Sequence, residues 1–91
     1  MQGRLIAFRQ LRPILEKKFN CAAEFFPEGA AQDPDGAASP PVFAFIRNLG
    51  AGQVLLSTIV VYDDRLPIFE THLRSFLARL RLTFDDIVEH L

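Results

Sequence analysis

Apolar residues recur at three- and four-residue steps near the start of the chain. Leu5, Phe8, Leu11, Leu15 and Phe19 share one side of a helix over residues 4–19, and Ile6 and Ile14 widen the stripe. Pro13 conflicts with that pattern, because a helix-interior proline removes one hydrogen bond and crowds the preceding turn. Three alternatives stay open: two short helices, a helix beginning near Arg12 with Pro13 in its first turn, or a strand over Gly3 to Arg9. The single helix is the preferred reading.

Beyond residue 19 the period changes to two. Asn20 to Phe26 reads as a strand with Cys21, Ala23 and Phe25 on one face and Ala22, Glu24 and Phe26 on the other. Pro27 ends it, and residues 27–41, PEGAAQDPDGAASPP, read as a flexible Pro/Gly/Ala connection with a turn signal at Asp33-Pro34-Asp35-Gly36. Val42 to Asn48 and Gln53 to Tyr62 are strands, the second marked by its β-branched run, and Leu49-Gly50-Ala51-Gly52 supplies the reversal between them. So short a loop joins antiparallel neighbours, because a parallel crossover needs a dozen residues or more. Asp63 or Asp64 then caps a helix with Pro67 near its first turn. Phe69, Leu73, Phe76, Leu77 and Leu80 form its apolar face. Glu70 and Arg74 stand four apart in the favourable order, and Arg74, Arg79 and Arg81 lie toward the C-terminal end, where cations suit the helix dipole. Thr83 and Asp86 have capping-box spacing for a last short helix with Phe84, Ile87, Val88 and Leu91 on its apolar side.

The expected fold is α+β, in the order α-β-β-β-α, with a three-stranded antiparallel sheet packed by helices on one face. Both hairpin strands are apolar on both sides, which is more than two helices on one face can cover. An open apolar sheet face is an association surface. Phe43, Phe45, Val54, Leu56, Ile59 and Val61 are the candidate interface residues, with either face possible, and the expected state is a homodimer or a complex with a protein partner.

Composition narrows the picture. The chain has 91 residues, enough for one domain over 1–91, and its 49% hydrophobic content excludes a disordered segment. A single cysteine permits no internal disulfide, so nine phenylalanines must supply much of the stability. A lone thiol suits a reducing compartment, and no signal-peptide pattern or membrane-length apolar run is visible, so a cytoplasmic, non-membrane protein is expected.

The net charge of −1 argues against a nucleic-acid binder held by a basic field. It does conceal a gradient. Residues 1–19 carry Arg4, Arg9, Arg12, Lys17 and Lys18 against Glu16, a net of +4, and residues 20–35 carry Glu24, Glu28, Asp33 and Asp35, a net of −4. The basic set is the candidate contact for an acidic partner or nucleic acid, against the plainer reading of a solvated helix face. Double-stranded RNA-binding domains share the α-β-β-β-α order. They need a basic cluster where the last long helix begins, and Asp64 to Glu70 is mixed and apolar.

No constellation points to catalysis. Cys21 as a nucleophile needs an activating partner, for which His72 and His90 are the only histidines, and a buried strand residue explains it with less assumption. Asp86 and His90 are two potential metal ligands without a third, and Asp63-Asp64 reads as a helix cap. Gly50 and Gly52 lie between strands, outside the strand–loop–helix context of a phosphate cradle. No enzyme, cofactor or metal site is expected.

Over residues 10–82 the chain resembles the first half of the type III secretion chaperone-like proteins, including the YbjN-type domains. The residues concerned are Lys18-Phe19 at the end of the leading helix, Phe43-Ala44-Phe45-Ile46 with Val54-Leu55-Leu56-Ser57, and Val61-Tyr62-Asp63-Asp64-Arg65-Leu66-Pro67 running into Leu73 to Leu80. The resemblance implies a dimer that holds another polypeptide in extended form, through strand edges and an apolar sheet face. The expected function is therefore a small non-enzymatic, chaperone-like or adaptor-like module, with the basic-helix binder as the alternative.

Overall fold

A computed structural model describes residues 5–29, 36 and 38–91. Arg4 and part of the expected 27–41 connection, including Asp33, Pro34 and Asp35, lie outside the described residues. The elements in chain order are β1 (Ile6–Ala7), α1 (Phe8–Lys18), β2 (Cys21–Phe26), β3 (Val42–Gly50), β4 (Gln53–Val60), β5 (Pro67–Ile68), α2 (Glu70–Ala78) and α3 (Phe84–Val88). β2, β3 and β4 form an antiparallel sheet in that order, and β1 pairs with β5 as a separate two-stranded ribbon.

The helices cover one sheet face. Phe43 and Phe45 on β3 meet the ring of Phe8 on α1 at 4.5 and 6.0 Å, and Phe45 meets Phe76 on α2 at 5.6 Å. Leu11, Leu15, Leu73, Leu77, Leu80 and Ile87 complete the core between sheet and helices. The molecule measures 42 × 39 × 18 Å, as a two-layer slab should. Ser57 is the one buried polar residue among those described, and its hydroxyl donates to the Phe76 carbonyl at 2.8 Å, fastening β4 to α2.

The first segment departs from the preferred reading. Ile6 and Ala7 are strand, paired with Ile68 and Pro67, and the helix begins only at Phe8. Leu5 is consequently exposed rather than part of the apolar stripe. Pro13 lies inside α1 on its exposed side, between the buried Leu11 and Ile14, so the missing ladder bond falls on the solvent side.

The second long helix also begins later than its capping signals suggest. Pro67 extends the ribbon instead of opening a helix, and α2 starts at Glu70 after an exposed Phe69. Asp63 instead folds a tight turn, with its carboxylate accepting from the Arg65 N–H at 2.9 Å and from the Arg65 side chain at 3.1 Å. The Arg9 N–H donates to the Asp64 carbonyl at 2.9 Å, which ties this turn to the first turn of α1.

Local signals hold elsewhere. Thr83 Oγ1 accepts from the Asp86 N–H at 3.2 Å while the Asp86 carboxylate accepts from the Thr83 N–H at 2.8 Å, the reciprocal pair of a capping box. Glu70 and Arg74 pair at 2.7 Å. The hairpin turns through Ala51 and Gly52, both with positive φ (54° and 80°), which matches a type I′ turn.

Arg81 closes α2 in the left-handed region at φ 57°. The Leu82 N–H reaches the Leu77 carbonyl at 2.9 Å and the Arg81 N–H reaches the Ala78 carbonyl at 3.0 Å, the nested bonds of a Schellman turn. Arg47, reaching across from β3, donates to the Leu80 carbonyl at 2.7 Å, so a cation from the sheet satisfies the helix end.

Two stability changes follow. Phe45→Ala removes the ring that joins both helices to β3 and is expected to cost about 3–5 kcal/mol, read as a loss of urea midpoint at constant slope. Arg81→Gly relieves the left-handed strain and is expected to stabilise by about 0.5–1 kcal/mol, seen as a Tm rise of a few degrees in a thermal melt.

Candidate interaction surface

The register across the three strands sorts every side chain onto one of two faces. Facing the helices, Cys21, Arg47 and Leu55 form one cross-strand row, Ala23, Phe45 and Ser57 the next, and Phe25, Phe43 and Ile59 the third. On the opposite face the rows are Phe26–Val42–Val60, Glu24–Ala44–Thr58 and Ala22–Ile46–Leu56, with Asn48 beside Val54 at the hairpin end.

That outer face is open among the described residues. Val54 is 61% exposed and Leu56 59%, and Phe26, Ile46 and Val60 are each more than two-fifths exposed. Glu24 is the only charged side chain of that face among the described residues. Of the six residues singled out in the sequence, Val54 and Leu56 lie on this surface. Phe45 and Ile59 are buried beneath the helices, and Phe43 and Val61 pack half-buried against the same core. These four are core residues for a plain geometric reason: they carry the odd parity along β3, β4 and the residue after it, and the helices cover the odd side.

Phe26, Ile46 and Val60 are the surface residues that sequence reasoning missed. Hydrophobicity does not separate them from Phe45 or Ile59. Glu24 is the residue that marks the open face, and only the strand register carries its parity across to β3 and β4.

The described basic residues of the N-terminal segment, Arg9, Arg12, Lys17 and Lys18, all lie on α1. Arg9 and Arg12 border a cleft of about 360 Å³ between α1 and the sheet, with Glu16 and Asp64 in its lining as well. Arg12 is already engaged, paired with Glu16 at 3.4 Å and placed 5.2 Å over the Phe43 ring. Lys17 and Lys18 occupy the last turn of α1, where they complement the helix dipole.

Cys21, Asp63, Asp86 and His90 each have local structural contacts. Burial pushes the Cys21 thiol up, with the Arg47 guanidinium opposing and Glu16 adding to the rise, so the thiolate is disfavoured. Its Sγ lies 3.6 Å from the Phe19 carbonyl. Hydrogen bonds from the Arg65 side chain and backbone hold the Asp63 carboxyl below its usual range. Asp86 serves the capping box, and His90 stacks edge-on against Phe19 at 5.7 Å. Among the described residues no three His, Cys, Asp or Glu side chains cluster as a metal site, and no helix is long and apolar enough to cross a membrane. No family model matches the chain, and no curated protein or solved structure matches it at a significant level.

Proposed function

We propose that this chain is a non-enzymatic protein-interaction module that self-associates through the outer face of its sheet. The observation that carries the reading is the outer surface itself: Phe26, Ile46, Val54, Leu56 and Val60 stand exposed with Glu24 as the one charged side chain on that face among the described residues, while both long helices occupy the other side. Apolar area of this kind gains about 25 cal/mol per Å² when it leaves water. A flat, three-stranded face is best covered by another flat face, and two such sheets pack about 10 Å apart with their side chains interleaved. A second copy supplies that surface, and it brings one Glu24 per protomer, too little charge to oppose contact.

Sedimentation velocity is expected to show a dimer in the micromolar range. Ile46→Glu, placed on the central strand at a position already exposed in the single chain, is expected to yield a monomer with an unchanged circular-dichroism spectrum. A wild-type chain that remains monomeric at hundreds of micromolar, or an Ile46→Glu variant that dimerises as before, overturns the reading.

A further inference from the structure

We infer that the open edge of β4 and the groove between β4 and α2 bind an extended peptide segment carrying an acidic side chain, which adds to the sheet as a fourth strand. The inference rests on the reading of the chain as an interaction module, but it uses a different surface from the outer face.

Among the described residues the sheet order leaves β4 with a neighbour on one side only. Which backbone groups face the free side follows from one hydrogen bond. The Val61 N–H donates to the Pro41 carbonyl at 3.1 Å, just beyond the Val60–Val42 pair. Hydrogen-bonded and non-bonded pairs alternate along an antiparallel ladder, so the N–H and C=O groups of Leu56, Thr58 and Val60 point away from β3, toward the open edge. β4 reads QVLLSTIV, with no charged residue and no proline. Edges left in contact with water are ordinarily guarded by such residues, and the opposite edge strand, β2, does carry Glu24 and is followed by Pro27. An unguarded edge with three residues' worth of free backbone groups is a template for an added strand.

The neighbouring groove supplies side-chain recognition. It holds about 300 Å³, with Ile59 and Phe76 in its floor and His72, Ser75 and Arg79 along its helical wall. Spacings of three and four place His72 and Ser75 of α2 and Arg79, the residue that ends it, along one stripe. All three carry hydrogen-bond donors, and the lining includes no acid. The Arg79 guanidinium has no hydrogen bond or ion pair among the described residues, whereas Arg65 and Arg74 each hold a carboxylate. A ligand strand that buries apolar side chains against Ile59 and Phe76 and presents a carboxylate to Arg79 satisfies both features. A second copy of β4 does not, because β4 carries no acid to offer.

The test uses two labelled octapeptides of alternating valine and threonine, one with a central glutamate and one with lysine in its place. The glutamate peptide is expected to bind the full chain, to shift the amide resonances of Leu56, Thr58 and Val60, and to protect them from exchange. Arg79→Glu is expected to weaken the glutamate peptide about tenfold and to favour the lysine peptide. Thr58→Pro removes an N–H that β3 does not use, so the ladder survives while strand addition is blocked. Ile46→Glu is expected to bind the glutamate peptide as the wild type does, whatever its oligomeric state. Equal binding of both peptides, no binding of either, or binding without shifts at Leu56, Thr58 and Val60 overturns the inference. Self-association lost in Thr58→Pro and kept in Ile46→Glu also overturns it, because the edge would then hold a second copy.

Discussion

Phe45 is the point on which the two layers meet. Its side chain is fully buried at the centre of the middle strand, and its ring contacts Phe8 of α1 and Phe76 of α2. Strand alternation makes this contact a constraint on everything around it. Once Phe45 points at the helices, Phe43 and Arg47 must do so too, and the register carries Ser57, Ile59, Cys21 and Ala23 onto the same side. Each then finds a role there. Ser57 reaches the Phe76 carbonyl, and Arg47 caps the end of α2. Cys21 is held as a small buried residue whose thiol is pushed away from ionisation.

The same alternation has a cost on the other side. Ile46, Leu56 and Val60 are forced outward whatever their hydrophobicity, and the helices are already committed to the Phe45 side. A slab 18 Å thick has no third layer to cover them. The surfaces left exposed among the described residues are therefore by-products of one packing decision: an apolar back, and an edge at β4 next to α2. They differ in chemistry. The back carries Glu24 as its one charged side chain among the described residues, and the groove beside the edge is lined by His72, Ser75 and Arg79 without an acid.

Features set by interactions within a few residues were legible in the sequence. The Thr83–Asp86 box, the Glu70–Arg74 pair and the hairpin around Ala51-Gly52 are each closed by neighbours in the chain. The β1–β5 ribbon was not, because two-residue strands have no period to detect, and Ile6 pairs with a partner more than sixty positions away. Pro67 carried a helix-start signal of the right kind, yet the ribbon captured it, and α2 began at Glu70 instead. For the candidate surface, Val54 and Leu56 were recognised from their apolar character, and that same character misplaced Phe45 and Ile59.

By itself the sequence determined the order of the three long strands and the helices that flank them, the antiparallel hairpin, and the surplus of apolar residues in its strands, because these depend on local period and turn chemistry. It did not determine which face of the sheet is inside. Val42 to Ile46 are apolar without interruption, so period two carries no phase, and hydrophobicity alone cannot orient the strand. Only the tertiary structure decided that, through the register that joins Glu24 to Ala44 and Thr58 on the open side and the three-ring contact that holds Phe45 on the closed one.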